Sequence, residues 1–187
     1  MYRIEQITSE LSKVAADAKA TFGSLSAHQL NWKPAPKSWS VAQCFDHLIT
    51  THSLYFPEYE RLAAGNVEMS LWKKASPFSG FFGRFLIKNL DPNNLKKMKT
   101  TAKAFPSESE IGGDIIDRFC EHQRLMIEHL QKLPDNIDPT KTIITSPLLG
   151  IVTYSLDNTF TILNVHCQRH FDQAKRVTEM DGFPKYK

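Results

Sequence analysis

Apolar positions along the chain fall into four long stretches with helical spacing. Within residues 4–25, 41–64, 108–132 and 155–180, apolar side chains recur every three or four positions. Such spacing places them on one face of an α-helix. The pattern therefore predicts four amphipathic helices of about twenty residues each, with long connections after the second helix and before the fourth.

Start and stop signals bound these four helices. Ser40 and Gln43 have the spacing of a capping box before the second helix, and Ser107 and Glu110 repeat that spacing before the third. Ser155 is placed to cap the fourth helix. The residues that end the helices are three glycines and one proline: Gly23, Gly65, Pro134 and Gly182.

Two of the connections carry local signals of their own. Between the first and second helices, Pro34 and Pro36 exclude a helix. In the same connection Trp32 and Trp39 indicate a segment pinned onto the core. Residues 142–154 are rich in β-branched side chains and turn formers, which predicts a short strand pair or an extended crossing.

The segment 76–86 places four phenylalanines around Gly80 and Gly83, in a region where the long-range periodicity breaks. Residues 80–89 predict a short helix, and a mobile flap is the alternative. The segment within 76–106 has three interpretations: an apolar cluster over one end of the core, a lid over a site, or a dimer face. The sequence leaves them open.

Taken together, these elements predict an all-α fold. Four long helices in 187 residues are most simply arranged as a four-helix bundle with long connections. The length suits one domain with a substantial core, so we expect a single domain over residues 1–187.

Composition narrows the class of protein. Charged residues make up 23% of the chain and hydrophobic residues 41%, as in ordinary globular proteins. No apolar run has the length needed to cross a bilayer, and the N-terminus lacks the apolar core of a signal peptide. We therefore expect a cytoplasmic protein without a membrane partner. The net charge of +3 comes from dispersed basic residues, so a nucleic-acid partner is not indicated.

Three cysteines, an odd and widely spaced set, argue against a disulfide framework. Each lies in an apolar helical context, so Cys44, Cys120 and Cys167 are expected to be reduced thiols. Packing as small apolar side chains is favoured over a role as thiolate ligands or redox groups for Cys44 and Cys167.

The chemistry of the chain points to its histidines. His166 and His170 are four residues apart in the predicted fourth helix, so one helix face can aim both imidazoles at one point. His47 borders the buried side of the predicted second helix. If that helix faces the fourth, the three imidazoles form a set of neutral nitrogen ligands that leaves a coordination position open, as in catalytic zinc sites.

Other metal sites do not fit the spacing. Carboxylate-bridged di-iron bundles need a glutamate three residues before each histidine ligand, and Cys44, Leu163 and Cys167 occupy those positions. A His-Glu-x-x-His zinc-protease motif is also absent. A mononuclear three-histidine site remains, at which a divalent ion would lower the pKa of bound water or of a bound thiol.

Polar neighbours and the remaining histidines receive separate interpretations. Asp46, Asp172 and Gln173 are candidates for orienting the ligand imidazoles. We expect structural roles for the other four histidines. His122 and His129 are expected in solvent or at the core edge, and His28 and His52 are expected to be incidental.

Three stretches of the sequence resemble the DinB/YfiT-like superfamily. They are residues 30–48 (LNWKPAPKSWSVAQCFDHL), 147–150 (PLLG) and 166–173 (HCQRHFDQ), and the likeness spans almost the whole chain. The resemblance implies an up-down-down-up four-helix bundle that binds a divalent metal such as zinc or nickel. Its three histidine ligands map onto His47, His166 and His170, the residues that the spacing selects.

The resemblance also implies an activity. Characterised relatives include S-transferases and isomerases that use a low-molecular-weight thiol such as bacillithiol, so we expect a transferase that adds such a thiol to an electrophilic small molecule. Hydrolysis by metal-bound hydroxide is an alternative. A non-catalytic bundle, stapled by its metal or binding a small ligand, is another. A homodimer is compatible with each of these.

Overall fold

Helices make up most of the chain in the structure, a computed structural model that describes residues 2–66, 79–94, 101–107 and 110–185. The helices are α1 Tyr2–Phe22, α2 Ala27–Asn31, α3 Val41–Ser53, α4 Phe56–Ala63, α5 Ser79–Leu90, α6 Ile115–Gln131 and α7 Leu156–Thr178, with a 3-10 turn at Ala102–Ala104. Two short strands, β1 Ile143–Thr145 and β2 Thr153–Ser155, precede α7. The predicted all-α fold is confirmed.

The core lies among the long helices. Helix α1 packs against α6 and α7, and α3 packs against the same two helices. Phe45 of α3 is fully buried between Phe22 of α1 and Phe119 of α6, with ring centroids 5.4 and 4.8 Å away. Each such aromatic side chain contributes on the order of 2–3 kcal/mol through burial, so this layer fixes how α3 sits on its neighbours.

The predicted second helix is two helices in the structure. Its first part ends at Ser53, and α4 begins at Phe56 with Pro57 in its first turn. Proline lacks an N–H group and its ring would clash with the carbonyl four residues earlier, which belongs to Ser53. One continuous helix over 41–64 was therefore wrong, although its capping box at Ser40 and Gln43 is present.

The third long helix begins later than predicted. Helix α6 starts at Ile115, whereas the pattern at 107–110 predicted a start near residue 108. Asn31 of α2 bonds both backbone groups of Ile111, accepting from its N–H at 2.9 Å and donating to its carbonyl at 2.8 Å. The glycine pair at 112–113 follows and disfavours helix, so α6 starts only after it.

Ser107 contacts α3 instead of starting its own helix. Its N–H donates to the Asp46 carboxylate at 2.8 Å, and its carbonyl accepts from the Gln43 side chain at 2.8 Å. Residues 108 and 109 of the predicted capping box lie outside the described residues. The segment before α6 is thus fastened to the helix that carries His47.

The predicted short strand pair and the predicted short helix are both present. Strands β1 and β2 pair antiparallel, with Ile144 opposite Tyr154. Helix α5 packs on α7 and on β2. Gly83 allows the close approach of α5 to α7, because a Cβ at that position would lie 2.2 Å from the Asn158 side-chain nitrogen. Residues 76–78 of the phenylalanine segment lie outside the described residues.

The connection between α2 and α3 packs on the core as its tryptophans indicated. Trp32 and Trp39 are half-buried against it, and Trp32 meets Phe183 edge to face at 5.6 Å. Among the described residues, no helix combines the length and apolarity that crossing a membrane requires.

Candidate metal centre

The fold brings the three predicted histidines together. His47 comes from α3, and His166 and His170 come from α7, which packs against it. All three are buried, with 5–6% of each residue exposed. One ring nitrogen of each lies within 4.8 Å of the others, and Nε2 of His47 lies 3.1 Å from Nε2 of His166.

Hydrogen bonds at Nδ1 fix the protonation of two of the rings. Nδ1 of His47 lies 2.5 Å from the Ala104 carbonyl, which only accepts, so this nitrogen carries the proton. Nδ1 of His170 lies 3.0 Å from Oε1 of Gln173, which likewise accepts. In both rings the lone pair is therefore on Nε2, the atom that is available to a metal.

A fourth histidine completes the pattern at His166. Nε2 of His52 lies 3.0 Å from Nδ1 of His166, so it can accept the Nδ1 proton and leave the His166 lone pair on Nε2. His52 is 1% exposed. The interpretation of His52 as incidental was therefore wrong. Its five-residue spacing from His47 placed it on another helix face, but α3 is buried on that face as well.

This arrangement fits a divalent metal ion. In the tautomer that directs every Nδ1 proton at an acceptor, the Nε2 lone pairs of His47 and His166 face each other across 3.1 Å, where a cation between them would be bound by both. Zinc takes imidazole nitrogens at 2.0–2.1 Å, which puts two tetrahedral donors about 3.3 Å apart. The donor type, the spacing and the tautomers are thus those of a three-histidine metal site.

Burial keeps the imidazoles neutral. The pKa values of His166 and His170 are well below the ordinary histidine value, because burial disfavours the charged form and neighbouring rings add repulsion. The pKa of His47 is lowered by burial too, and the Ala104 carbonyl and the Asp46 charge oppose that shift. Metal ligands must be neutral imidazoles, so the environment favours the binding form near neutral pH.

Of the three polar neighbours proposed to orient the ligands, one contacts a ligand ring. Gln173 does so, through His170. Asp46 instead accepts the Ser107 N–H, as described above. Within the described part of the chain, Asp172 makes no hydrogen bond to the three histidines. The orienting acceptors that the sequence did not reveal are the Ala104 carbonyl and His52, which local spacing cannot identify because tertiary packing supplies them.

Trp39 packs on the cluster, and the two helices that carry the histidines also carry two cysteines. The Trp39 ring stacks on His170 at 5.5 Å and lies 4.8 Å from the His47 ring. Cys44 and Cys167 are fully buried free thiols, and burial raises the pKa of each. Both therefore pack as neutral thiols, as expected.

His122 and His129 line a different part of the molecule. His122 is buried, with its Nε2 3.1 Å from the Ser53 hydroxyl and its Nδ1 without a hydrogen-bond partner. The Phe56 ring stacks between His122 and His129, at 5.3 and 4.4 Å. Burial, and then the charge of His129, lower the pKa of His122 to about 4. His122 is thus a buried neutral histidine rather than a solvent-facing one.

A cavity of about 870 Å³ adjoins the three histidines, all of which line it. Its other walls come from the connection between α2 and α3, from α5, from the 3-10 turn and its flanks, from the β1–β2 turn and from α7. Tyr55 and Tyr154 also line it, and their hydroxyls are 2.6 Å apart. The volume suits a small organic molecule, so the histidines face a space that a ligand can enter.

Comparison with known proteins identifies the family. A mostly helical chain with buried imidazoles facing a cavity belongs to the class of candidate metalloproteins. Residues 10–174 match the sequence model of the DinB superfamily, and this covers most of the 187 residues. The chain belongs to the DinB superfamily, which is typically metal-binding, and its three-histidine cluster fits a metal site. No curated protein and no solved structure matches the chain.

Proposed function

We propose that the protein is a divalent-metal-dependent transferase that adds a low-molecular-weight thiol, such as bacillithiol, to an electrophilic small molecule. His47, His166 and His170 are the proposed ligands of a zinc or nickel ion. The observation that carries the proposal is the convergence of three buried imidazoles, each with an Nδ1 acceptor, beside a cavity of about 870 Å³. Such a site keeps a coordination position directed at bound molecules.

The proposal includes the finer architecture of the fold. We infer that α1, α3, α6 and α7 form an up-down-down-up four-helix bundle within a single domain over residues 1–187. The contacts of α1 and α3 with both α6 and α7 support this arrangement. In such a bundle, facing helices supply the metal ligands, as α3 and α7 do here.

The residues of the chain have defined tasks in this reaction. A bound divalent ion would supply a Lewis acid that favours the thiolate form of a thiol near neutral pH. The Ala104 carbonyl, His52 and Gln173 hold the ligand imidazoles in one tautomer and orientation. Trp39 packs on two of those rings and restricts their rotation.

The bond changes balance without a further reactant. The thiol sulfur forms a bond to an electrophilic carbon while the bond from that carbon to its leaving group breaks. The leaving group departs with the bonding electron pair, and the thiol proton passes to water. The apolar walls of the cavity around the reacting groups strengthen the electrostatic interactions that stabilise the developing charge.

Metal content tests the site. Elemental mass spectrometry of the gently purified protein is expected to find about one zinc, nickel or similar ion per chain. His47→Ala, His166→Ala and His170→Ala should each abolish it, whereas His28→Ala, at an exposed histidine, should not. Metal that persists in the His170→Ala variant would contradict the ligand assignment.

Activity tests separate the proposed reaction from its alternatives. Consumption of 1-chloro-2,4-dinitrobenzene or an epoxide should require both metal and a thiol from a panel containing bacillithiol, cysteine and coenzyme A. Turnover of ester substrates without thiol would support a hydrolase instead. A large fall in melting temperature on chelation, with no turnover of either kind, would support a metal that only stabilises the fold.

A further inference from the structure

The cavity beside the three histidines has a one-sided charge distribution. Among the described residues that line it, the charged side chains are Lys37, Arg169 and Arg176, and no aspartate or glutamate is present. The remaining lining is largely apolar, with contributions such as Leu86 and Leu90 of α5. A proposed cation site and three cationic side chains thus share one cavity with no acidic group on its described walls.

Two of the cations, Lys37 and Arg176, lie nearer to solvent than the histidines do, whereas Arg169 is the residue next to His170. His170 and Arg176 are six residues apart on α7, which corresponds to about 9 Å along a helix axis. Lys37 and Arg176 are exposed, whereas the three histidines are buried. Lys37 and Arg176 are therefore at the part of the cavity wall that is open to solvent.

Arg169 and Arg176 share one face of α7. They are seven residues apart, which corresponds to about 10 Å along a helix axis, and both line the cavity. An anion bound in the cavity at Arg176 would therefore also be attracted by the charge of Arg169.

The two arginines differ in what they already bind. Nη1 of Arg169 donates to the backbone carbonyls of Asn89, Asp91 and Asn94, at 3.4, 3.2 and 2.5 Å. Arg176 makes no hydrogen bond or ion pair with any residue that the structure describes. Arg176 is thus the guanidinium whose donors are available to a ligand, and Arg169 adds charge from a fixed position.

We infer that Arg176, with Lys37 beside it on the cavity wall and with the charge of Arg169 further in, forms an anion subsite at the mouth of the cavity, and that the protein acts on small molecules with an apolar body and a terminal carboxylate. This inference rests on the proposed function, because it takes the three histidines as the place of reaction. The carboxylate binds at the mouth, the apolar body lies against the cavity walls, and the opposite end of the molecule points toward the histidines.

Calorimetric titration with sodium octanoate and 1-octanol tests the subsite on the full-length protein. The two probes share an apolar chain and differ in the carboxylate. Octanoate is expected to bind roughly tenfold more tightly than octanol, as a charge-assisted guanidinium contact allows. Arg176→Gln should remove that preference without altering octanol binding. Lys175→Gln removes the same charge at an adjacent exposed residue that does not line the cavity, and should leave the preference intact.

A second titration, after metal removal with 1,10-phenanthroline, separates the subsite from the metal. A preference for octanoate that survives chelation and is lost in Arg176→Gln supports the subsite. The same result in a protein that never contained metal would still support the subsite, although the missing metal would contradict the proposed function. A preference that survives in Arg176→Gln but disappears on chelation places the carboxylate on the metal and overturns the subsite. Equal or undetectable binding of the two probes also overturns it, as does an equal loss in Lys175→Gln.

Discussion

Nε2 of His52 lies 3.0 Å from Nδ1 of His166, and both rings are buried. Metal binding through Nε2 of His166 requires the proton on Nδ1, and in that tautomer His52 is the acceptor of this hydrogen bond. His52 on α3 is therefore hydrogen-bonded to a proposed ligand on α7, and the same helix α3 also carries His47.

Replacing His52 should weaken metal binding without removing a ligand. His52→Phe keeps a ring of similar size but no acceptor, so we expect a loss of about 10–100-fold in zinc affinity. His52→Gln keeps an acceptor oxygen and should recover part of the loss. Competition with a chromophoric chelator measures both, and His28→Gln is the exposed control. Wild-type affinity in a folded His52→Phe protein would contradict the orienting role.

Gln173 offers the same test on His170. Gln173→Leu removes the acceptor that lies 3.0 Å from Nδ1 and should lower zinc affinity by roughly tenfold. Gln173→Glu replaces it with a charged acceptor, which makes the imidazole a better donor to the metal, so this variant should bind zinc at least as tightly as the wild type. In the same competition assay, Gln173→Leu should bind zinc more weakly than the wild type, and Gln173→Glu should bind it at least as tightly as the wild type.

His122 should make the metal-free protein sensitive to acid. Its pKa is about 4 when folded and near 6.5 when unfolded, so the unfolded chain takes up a proton first as the pH falls. The contribution of neutral His122 to the free energy of unfolding is complete above pH 6.5. It is lost progressively as the pH falls to 4, by about 3 kcal/mol in total.

Urea denaturation of metal-free protein between pH 7 and pH 4 measures this loss. The free energy of unfolding of His122→Phe should fall by about 2–3 kcal/mol less than that of the wild type over that range, because phenylalanine at position 122 does not titrate. His28→Gln, at an exposed position, should follow the wild type. Parallel curves for wild type and His122→Phe would contradict the shifted pKa.

Gly83 should be intolerant of a side chain. In Gly83→Ala the new Cβ would lie 2.2 Å from Nδ2 and 3.0 Å from Cβ of Asn158, so α5 must move away from α7. We expect a loss of about 1–3 kcal/mol in the free energy of unfolding, despite the better helix propensity of alanine. Adding Asn158→Ala should recover part of it. Gly150→Ala, where a Cβ meets nothing within 4 Å, is the near-neutral control.

The histidine cluster could be predicted because it depends largely on short-range spacing. His166 and His170 are one helical turn apart, and this relation holds in any fold that keeps the helix. His47 was identified by its position beside the buried side of its own helix, and the packing of α3 on α7 brings it to the pair. The family resemblance was confirmed by the match over residues 10–174.

The supports of the site could not be predicted in the same way. The apolar spacing of α3 placed His52 outside the predicted buried face. Only the packing of several elements around α3 buries this residue. The Ala104 carbonyl is a backbone atom in a 3-10 turn, so no side-chain pattern marks it. The break at Pro57 could have been predicted from the sequence. A proline inside a run of helical apolar spacing removes a backbone hydrogen bond and is a local signal that the helix breaks there.

Arg169 lies in sequence between His166 and His170 and bonds three carbonyls at and after the end of α5. The end of α5, which forms one wall of the cavity, and the helix turn that carries His166 and His170 are therefore tied together by hydrogen bonds. A displacement of α5 that widened the cavity for a larger molecule would pull on that turn. The size of the molecule that the cavity admits and the spacing of the histidine cluster are consequently linked, and selecting variants for one property will change the other.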